Sequence, residues 1–489
     1  MVVDGGNSER KMKEKYGYLA KNTVLFTISS FGSKILAFFL VPFYTAVLST
    51  KEYGTADLIS TTASLLIFVT TICIADAVLR FAIDNTDIRK GVFGFGLRVI
   101  VIGTGILGAV LLILSVYNPF QWERYLYLLL FLTVFTNAIN QLISNYLRAI
   151  DKIAAVAVMG ILVTAVTIAS NFIFLLIFKL GVIGYLISFV IGYFLSSIYG
   201  LIIILHIDSI KAILQMCDRE MKRKMIAYSF PLIFNGAAWW MNNSLDRYFI
   251  IYYCGIAVNG LYAVASKIPT ILLMVNQIFN QAWNLSAIKE YDSEDKEGFF
   301  SNIYSLYNFV LVASCSVLIL LNIPLAKFLF SNDFFLAWKY SSVLIITAIF
   351  AALSGFFGSV FVAVKNTKIF AVSTVIAAII NVSLNWILIP SYGALGGAVA
   401  TAVSFFIVWL IRYICATRYI KMKINLLRDL IAYVLIICQA VLEHIEEHIY
   451  LGQIAILILI LFMYKKEFVQ VSIKVAHLIK RSNNKVAKK

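Results

Sequence analysis

Long apolar runs alternate with short polar connectors from one end of the chain to the other. About fourteen of the runs reach or approach the ~20 residues a helix needs to cross the hydrocarbon of a bilayer. They fall at roughly 22–48, 58–79, 92–116, 125–147, 153–178, 182–205, 225–252, 258–287, 303–322, 340–363, 369–390, 394–415, 428–443 and 450–464, the last two being the shortest. The pattern predicts an all-α, polytopic membrane protein. No connector is large enough to fold alone, which leaves no room for a soluble catalytic domain. The reading is therefore not an enzyme: such a bundle moves a solute or a lipid.

Composition agrees: 61% of residues are hydrophobic and 13% charged, against about half and a quarter in soluble domains. The net charge of +16 would suggest nucleic-acid binding in a soluble chain. Here the basic residues gather in alternate connectors, so no nucleic-acid partner is expected. With the N-terminus cytoplasmic, inside segments hold about 32 of the 41 Lys and Arg, outside connectors about five. This asymmetry predicts a cell (cytoplasmic) membrane protein with both termini cytoplasmic. The first run carries Lys34, is too long for a signal-peptide core and reads as a membrane helix. The six scattered cysteines show no C-x-x-C spacing and give neither a disulfide framework nor a zinc site.

The chain also repeats itself. Lys51-Glu52-Tyr53-Gly54 after the first run finds its counterpart in Val258-Asn259-Gly260-Leu261 after the seventh. Asn171-Phe172 followed by Gly181 is matched by Asn385-Trp386 followed by Gly393, at an offset of roughly 206 to 212 residues. A parallel repeat of six helices divides the chain into lobes at 1–213 and 214–418, with two extra helices and a basic tail at 419–489. The substrate site is expected between the halves.

Lys21-Asn22-Thr23, Pro42-Phe43-Tyr44, Tyr53-Gly54, Asn259-Gly260-Leu261-Tyr262 and Tyr392-Gly393-Ala394-Leu395-Gly396-Gly397 carry a resemblance. The chain resembles the polysaccharide transporter family, the O-antigen and capsule flippases of the multidrug/oligosaccharidyl-lipid/polysaccharide superfamily. The resemblance implies two six-helix lobes in a V shape. It implies flipping of an undecaprenyl-pyrophosphate-linked oligosaccharide by alternating access, for surface polysaccharide biosynthesis. It implies membrane lipid and lipid-linked oligosaccharide as partners, with polysaccharide-assembly proteins beside them. It supplies no motif from which site residues carry over.

Candidate site residues come from polar groups inside the runs, which are costly in lipid and turn toward a protein interior or a wet cavity. In run seven, Asn235, Trp239, Asn242 and Asp246 recur on one helical face, with Asn243 and Arg247 on the adjacent stripe. Run eight adds Lys267, Gln277 and Gln281, run four Asn137 and Gln141, and run one Lys34. Amides hydrogen-bond sugar hydroxyls, aromatic rings stack on sugar rings, and Arg247 presents a fork to phosphate oxygens. Beside that stands the bland reading, interhelical glue and ion pairing. In-span cations Lys34, Arg98, Arg247 and Lys267 outnumber the acids Asp76 and Asp246. The surplus suits an anionic headgroup and disfavours an exporter of cationic drugs.

No cofactor is expected. Energy coupling stays open between H+ or Na+ at Asp246 or Asp76 and charge movement down the membrane potential. Gly103-Thr104-Gly105-Ile106-Leu107-Gly108 has dinucleotide-site spacing but lies in an apolar run, where close helix packing explains it. His444-Ile445-Glu446-Glu447-His448 fits a zinc-protease pattern but sits in a short connector without an evident third ligand. The alternatives are a multidrug exporter of the same superfamily, a lipid II flippase, and a membrane polymerase or glycosyltransferase, which would need a larger external loop.

Overall fold

The computed structural model describes residues 36, 38–84, 89–207, 217–289, 291–364, 366–445, 450–470 and 473. Every regular element among them is a helix. Eight helices are long and apolar enough to cross a bilayer, or nine if one bent pair counts as a single span. In lipid a backbone must satisfy its own hydrogen bonds, and the helix does so locally. The chain is thus a polytopic all-α membrane protein.

Packing groups the chain into two compact units, Met1–Trp240 and Met241–Lys489. In the first, α1 (Val41–Val47) and α2 (Thr50–Thr71) precede α3 (Ile74–Asp84). Then follow α4 (Arg89–Tyr117), α5 (Arg124–Ala149), α6 (Ile153–Asn171) and α7 (Gly181–Ile207). Helix α8 (Arg219–Ser244) closes this unit, because the Trp240 indole donates to Thr61 O at 3.0 Å. Ile74, Val78, Phe93, Ile100, Leu142 and Tyr146 form one buried core. The opposite flank of α4 presents Ile102, Ile106, Leu112 and Val116 outward, as a lipid-facing surface should.

The second unit runs through α9 (Asp246–Cys254), α10 (Ile256–Ala265), α11 (Thr270–Lys289), α12 (Phe299–Leu320) and α13 (Asn322–Leu329). It continues with α14 (Trp338–Ala363), α15 (Thr367–Ala416), α16 (Leu426–Ile445) and α17 (Tyr450–Met463). Helix α14 is the hub, packed against α11, α12, α15 and α16. Stacked rings seal it: Trp283 lies 4.4 Å from Phe356, and Phe279 lies 3.8 Å from Tyr307.

Several expected runs are broken helices. Run two begins eight residues early, at Thr50. Ser49 and Glu52 form a capping box there, so the charged segment taken as connector is the first helical turn. Run two ends at Ile72 and Cys73, both in left-handed backbone. Run seven is interrupted at Leu245, between α8 and α9. Run eight is α10 and α11, bent by 50°. Runs eleven and twelve join as α15, kinked at Gly393 with φ of 59°. Gly181, the repeat partner of Gly393, has φ of 54°. A left-handed residue between helices favours glycine, which lacks the Cβ that clashes there.

The dinucleotide-like glycines lie within α4. A Cβ on Gly103 would stand 1.9 Å from Thr70 O, whereas one on Gly105 would meet nothing within 4 Å. The first glycine lets α4 approach α2, which is the packing explanation.

Candidate functional site

The polar centre of the second unit is built around Asp246. The helix break at Leu245 places this carboxylate in the first turn of α9, where the helix dipole favours negative charge. Asp246 is 4% exposed. Its Oδ2 accepts from Tyr262 Oη at 2.6 Å, and its Oδ1 from the Arg247 N–H at 2.9 Å. Tyr262, from α10, also bonds Thr401 on α15. The amide of Asn381 donates to Thr401 Oγ1 at 3.2 Å, and Asn385 donates to Asn381 Oδ1 at 2.9 Å. The Asn385 and Asn242 side-chain oxygens are buried without a donor. The result is a buried carboxylate beside an excess of oxygen acceptors. Such a group can take up a proton or a small hard cation.

Arg247 lies at the edge of this cluster. Its guanidinium donates to Asn243 O at 3.0 Å and stands 3.6 Å from Asp246 Oδ1, with the side chain 14% exposed. A guanidinium has the planar fork geometry that recognises phosphate oxygens. Asn243, Asp246 and Arg247 are thus brought together.

The other expected residues are placed differently. Trp239 is 61% exposed and Asn235 is exposed, whereas Asn242 is buried. The stripe Asn235–Trp239–Asn242–Asp246 therefore passes from an open to a buried setting along its length. Lys267 is half-buried and Gln277 exposed. Gln281 lies in α11, its side chain outside the described part, and Lys34 lies outside the described residues. In α5, Asn137 is half-buried and Gln141 exposed. Their neighbours act as glue instead. Asn140 donates to Ser196 Oγ at 2.9 Å on α7, and Asn145 to Asp76 Oδ1 at 3.3 Å on α3. Arg148 supplies the positive charge near Asp76.

Two groups of residues were missed by the sequence reading. Arg412, counted there among connector charges, is 4% exposed within α15. It donates to Ser373 Oγ, Ser354 O and Thr374 Oγ1 at 2.9 to 3.0 Å, and lies 4.0 Å from the Phe370 ring centre. Its proximity to the helix end disguised it, although the aromatic pair Trp409 and Tyr413 around it marks a buried helix. Arg219 and Arg223, one helical turn apart in α8, line a cavity of about 790 Å³ with Ile226, Ala227, Phe230 and Pro231. A second cavity, about 760 Å³, lies among α14, α15 and α16, walled by Phe350, Val399, Phe406 and Ile437. Among the described residues no group of His, Cys, Asp and Glu could hold a metal ion. His444 Nδ1 and Nε2 lie 2.9 and 2.8 Å from the Ala440 and Lys339 carbonyl oxygens; Glu446, Glu447 and His448 lie outside the described part.

Broken helices, a buried intramembrane carboxylate and partly buried intramembrane cations mark this polytopic membrane protein. Comparison with known proteins gives the family. The chain belongs to the polysaccharide biosynthesis protein family, whose model matches residues 19–284. A curated relative, an uncharacterised membrane protein of Methanocaldococcus jannaschii, is 23% identical over 266 residues, covering 51% of this chain and 61% of that protein. The chain thus spans about three-fifths of that relative's length. Among solved structures, the lipid II flippase MurJ in an inward closed conformation has a TM-score of 0.67 at 16% identity, over 92% of this chain and 100% of that one. An inward-facing MATE-family multidrug transporter has a TM-score of 0.59 at 12% identity, over 79% and 97%. A superfamily transporter from Pyrococcus furiosus, described as having a binding pocket of reversed polarity, has 0.57 at 12% identity, over 82% and 95%. These likenesses are of fold.

Proposed function

We propose that the chain flips an undecaprenyl-pyrophosphate-linked oligosaccharide across the cytoplasmic membrane by alternating access, for surface polysaccharide biosynthesis. The observation that carries this reading is Arg247, a partly exposed guanidinium held against Asp246 and Asn243. Lys267, Lys34 and the Arg219–Arg223 pair add positive charge of the kind a pyrophosphate headgroup needs. Trp239, Asn235, Asn137 and Gln141 offer a stacking ring and amides to the sugars. Both termini are cytoplasmic in this reading, and the lobes follow the repeat at 1–213 and 214–418. Asp246, with Tyr262 and Thr401, is the candidate for coupling to H+ or Na+. The positive character weighs against a cationic-drug exporter. The likeness to MurJ favours a lipid-linked substrate and keeps lipid II as the second candidate.

The test is binding by purified protein to undecaprenyl-pyrophosphate oligosaccharide, lipid II and a cationic dye, compared by native mass spectrometry. Preference for the oligosaccharide lipid, weakened by Arg247→Gln, supports the reading. Preference for lipid II moves it to cell-wall synthesis. Preference for the dye contradicts it.

A further inference from the structure

The two C-terminal helices lie outside the part of the chain that the family model covers, and they carry buried polar and charged groups. Along α16, Asp429, Tyr433, Gln439 and Glu443 all face inward. Three of them are hydrogen-bonded across the seam, although Asp429 Oδ2 itself has no donor. Asp429 pairs with Arg428 and accepts from Tyr464 Oη at 2.7 Å. Tyr433 donates to Asn308 Oδ1 at 2.9 Å. Gln439 exchanges two bonds with Ser316, accepting from its Oγ at 2.8 Å and donating to its carbonyl at 3.0 Å. This seam stitches α16 to α12 and α17.

Glu443 is different. It lies fourteen residues beyond Asp429, about 21 Å along the helix. The carboxylate is 1% exposed. Its Oε1 accepts from Asn322 Nδ2 at 2.9 Å, and the same amide donates to Trp338 O at 3.0 Å. Its Oε2 has no donor. Ser342, on α14, stands beside the carboxylate. Both Ser342 and Asn322 are wholly buried, Ser342 Oγ is in hydrogen-bonding reach of the Glu443 carboxylate, and Asn322 Oδ1 has no donor.

The charges around the site do not neutralise it. Glu443 forms no ion pair among the described residues. From α16 itself, His444 turns its ring nitrogens to the Ala440 and Lys339 carbonyls. From α14, Lys339 is exposed and lies over the Trp338 ring, 6.0 Å from its centre. From α13, Lys327 is exposed. Helix α12 faces this end of α16 with Cys315, Ser316 and Ile319, and α17 brings the half-buried Tyr450 and the buried Gln453. Arg428 is engaged at the other end of the helix with Asp429 and Glu467.

A buried carboxylate without a counter-charge is costly, and one serine hydroxyl can serve only one of the oxygens that lack a donor. One bound cation resolves both. We propose that Glu443, Asn322 and Ser342 form a buried binding site for a monovalent cation, H+ or Na+. A proton on Glu443 Oε2 donates to Ser342 Oγ. A sodium ion takes Oε2, Ser342 Oγ and Asn322 Oδ1 as ligands. Either ion enters lipid-depth structure as a neutral pair with the carboxylate. The site is separate from the Asp246 cluster, which uses other helices, and does not depend on the transported lipid.

The test is the thermal unfolding midpoint of the purified full-length protein. It is followed against pH in K+ buffer, and against Na+ at fixed pH with K+ as the control. A ligand that binds only the folded state raises the midpoint as its concentration rises. If the ion is H+, wild type loses stability relative to Glu443→Gln as pH rises, and Na+ leaves the difference unchanged. If the ion is Na+, Na+ but not K+ raises the wild-type midpoint, Glu443→Gln loses that shift, and Ser342→Ala weakens it. Either difference must persist in an Asp246→Asn background. Parallel responses of wild type and Glu443→Gln in both series overturn the proposal. Should Glu443→Gln fail to fold, Glu443→Asp takes its place, and a response identical to wild type is then the contrary result.

Discussion

At the scale of single residues, the buried polar groups separate by whether their partners are complete. Arg412 is satisfied by hydroxyls and carbonyls, without a carboxylate. It pins α15 to α14 through Ser354 O. Arg412→Lys keeps the charge but loses the fork, and leaves carbonyl and hydroxyl partners unmatched. A loss of about 2–4 kcal/mol is expected, as for other broken buried charge networks, read as a lower midpoint in thermal unfolding. An unchanged midpoint would show that the fork is dispensable. Tyr262→Phe removes the hydroxyl donor from Asp246 and should cost about 1–3 kcal/mol. In an Asp246→Asn background the same change should cost less, because a neutral amide tolerates the lost donor better than a charge. Equal costs in both backgrounds would show that the Tyr262–Asp246 bond is not the reason. The sequence marked Asp246 and Arg247 as intramembrane charges, and the structure places both in one polar cluster. It named Tyr262 and Asn385 only as motif and repeat residues and did not join them to Asn381, Thr401 and Asp246, since their convergence depends on a helix break that periodicity does not register.

At the scale of elements, the long apolar runs were legible and their interruptions were not. The limits of α4, α5, α7, α12 and α14 fall within a few residues of the runs that predicted them. Hydropathy reports lipid depth, and Leu245 or Ile72 interrupts a helix without lowering hydropathy. Continuing one helical register through Leu245 joined exposed Trp239 and buried Asp246 into a single stripe. The repeat motifs fared better because glycine has a physical reason to stand where it does: Gly181 and Gly393 both take left-handed backbone. Gly393→Ala should therefore lower stability by about 1–2 kcal/mol, whatever the space around it. Gly103→Ala drives a methyl into the Thr70 carbonyl, while Gly105→Ala enters open space. The yield of monodisperse purified protein should fall sharply for the first and hold for the second. Equal yields would remove the close approach of α2 and α4 as the purpose of Gly103.

At the scale of the whole molecule, charge distribution bears on the proposed orientation and on the proposed cargo. In the proposed orientation the Lys/Arg bias puts α2's first turn outside and the start of α8 inside. In a protein freed of its six native cysteines, Lys51→Cys should react with an impermeant maleimide applied outside, and Lys224→Cys should not. The reverse pattern would invert the topology. The C-terminal helices show where composition misled. Asp429, Gln439 and Glu443 shortened the apparent span of α16 by lowering its hydropathy, yet all three point into the protein, where they do not meet lipid. In the proposed function the cations select the cargo, and transport itself is the most direct measurement. Purified protein in liposomes is given fluorescent undecaprenyl-pyrophosphate oligosaccharide, and an impermeant quencher reads its movement between leaflets. Wild type should equilibrate the lipid well above the protein-free rate. Arg247→Gln, at equal folded incorporation, should slow it at least about tenfold, equivalent to about 1.4 kcal/mol, with Arg247→Lys in between. Movement no faster than in protein-free liposomes, or Arg247→Gln at the wild-type rate, would contradict a cation-bound pyrophosphate headgroup as the cargo.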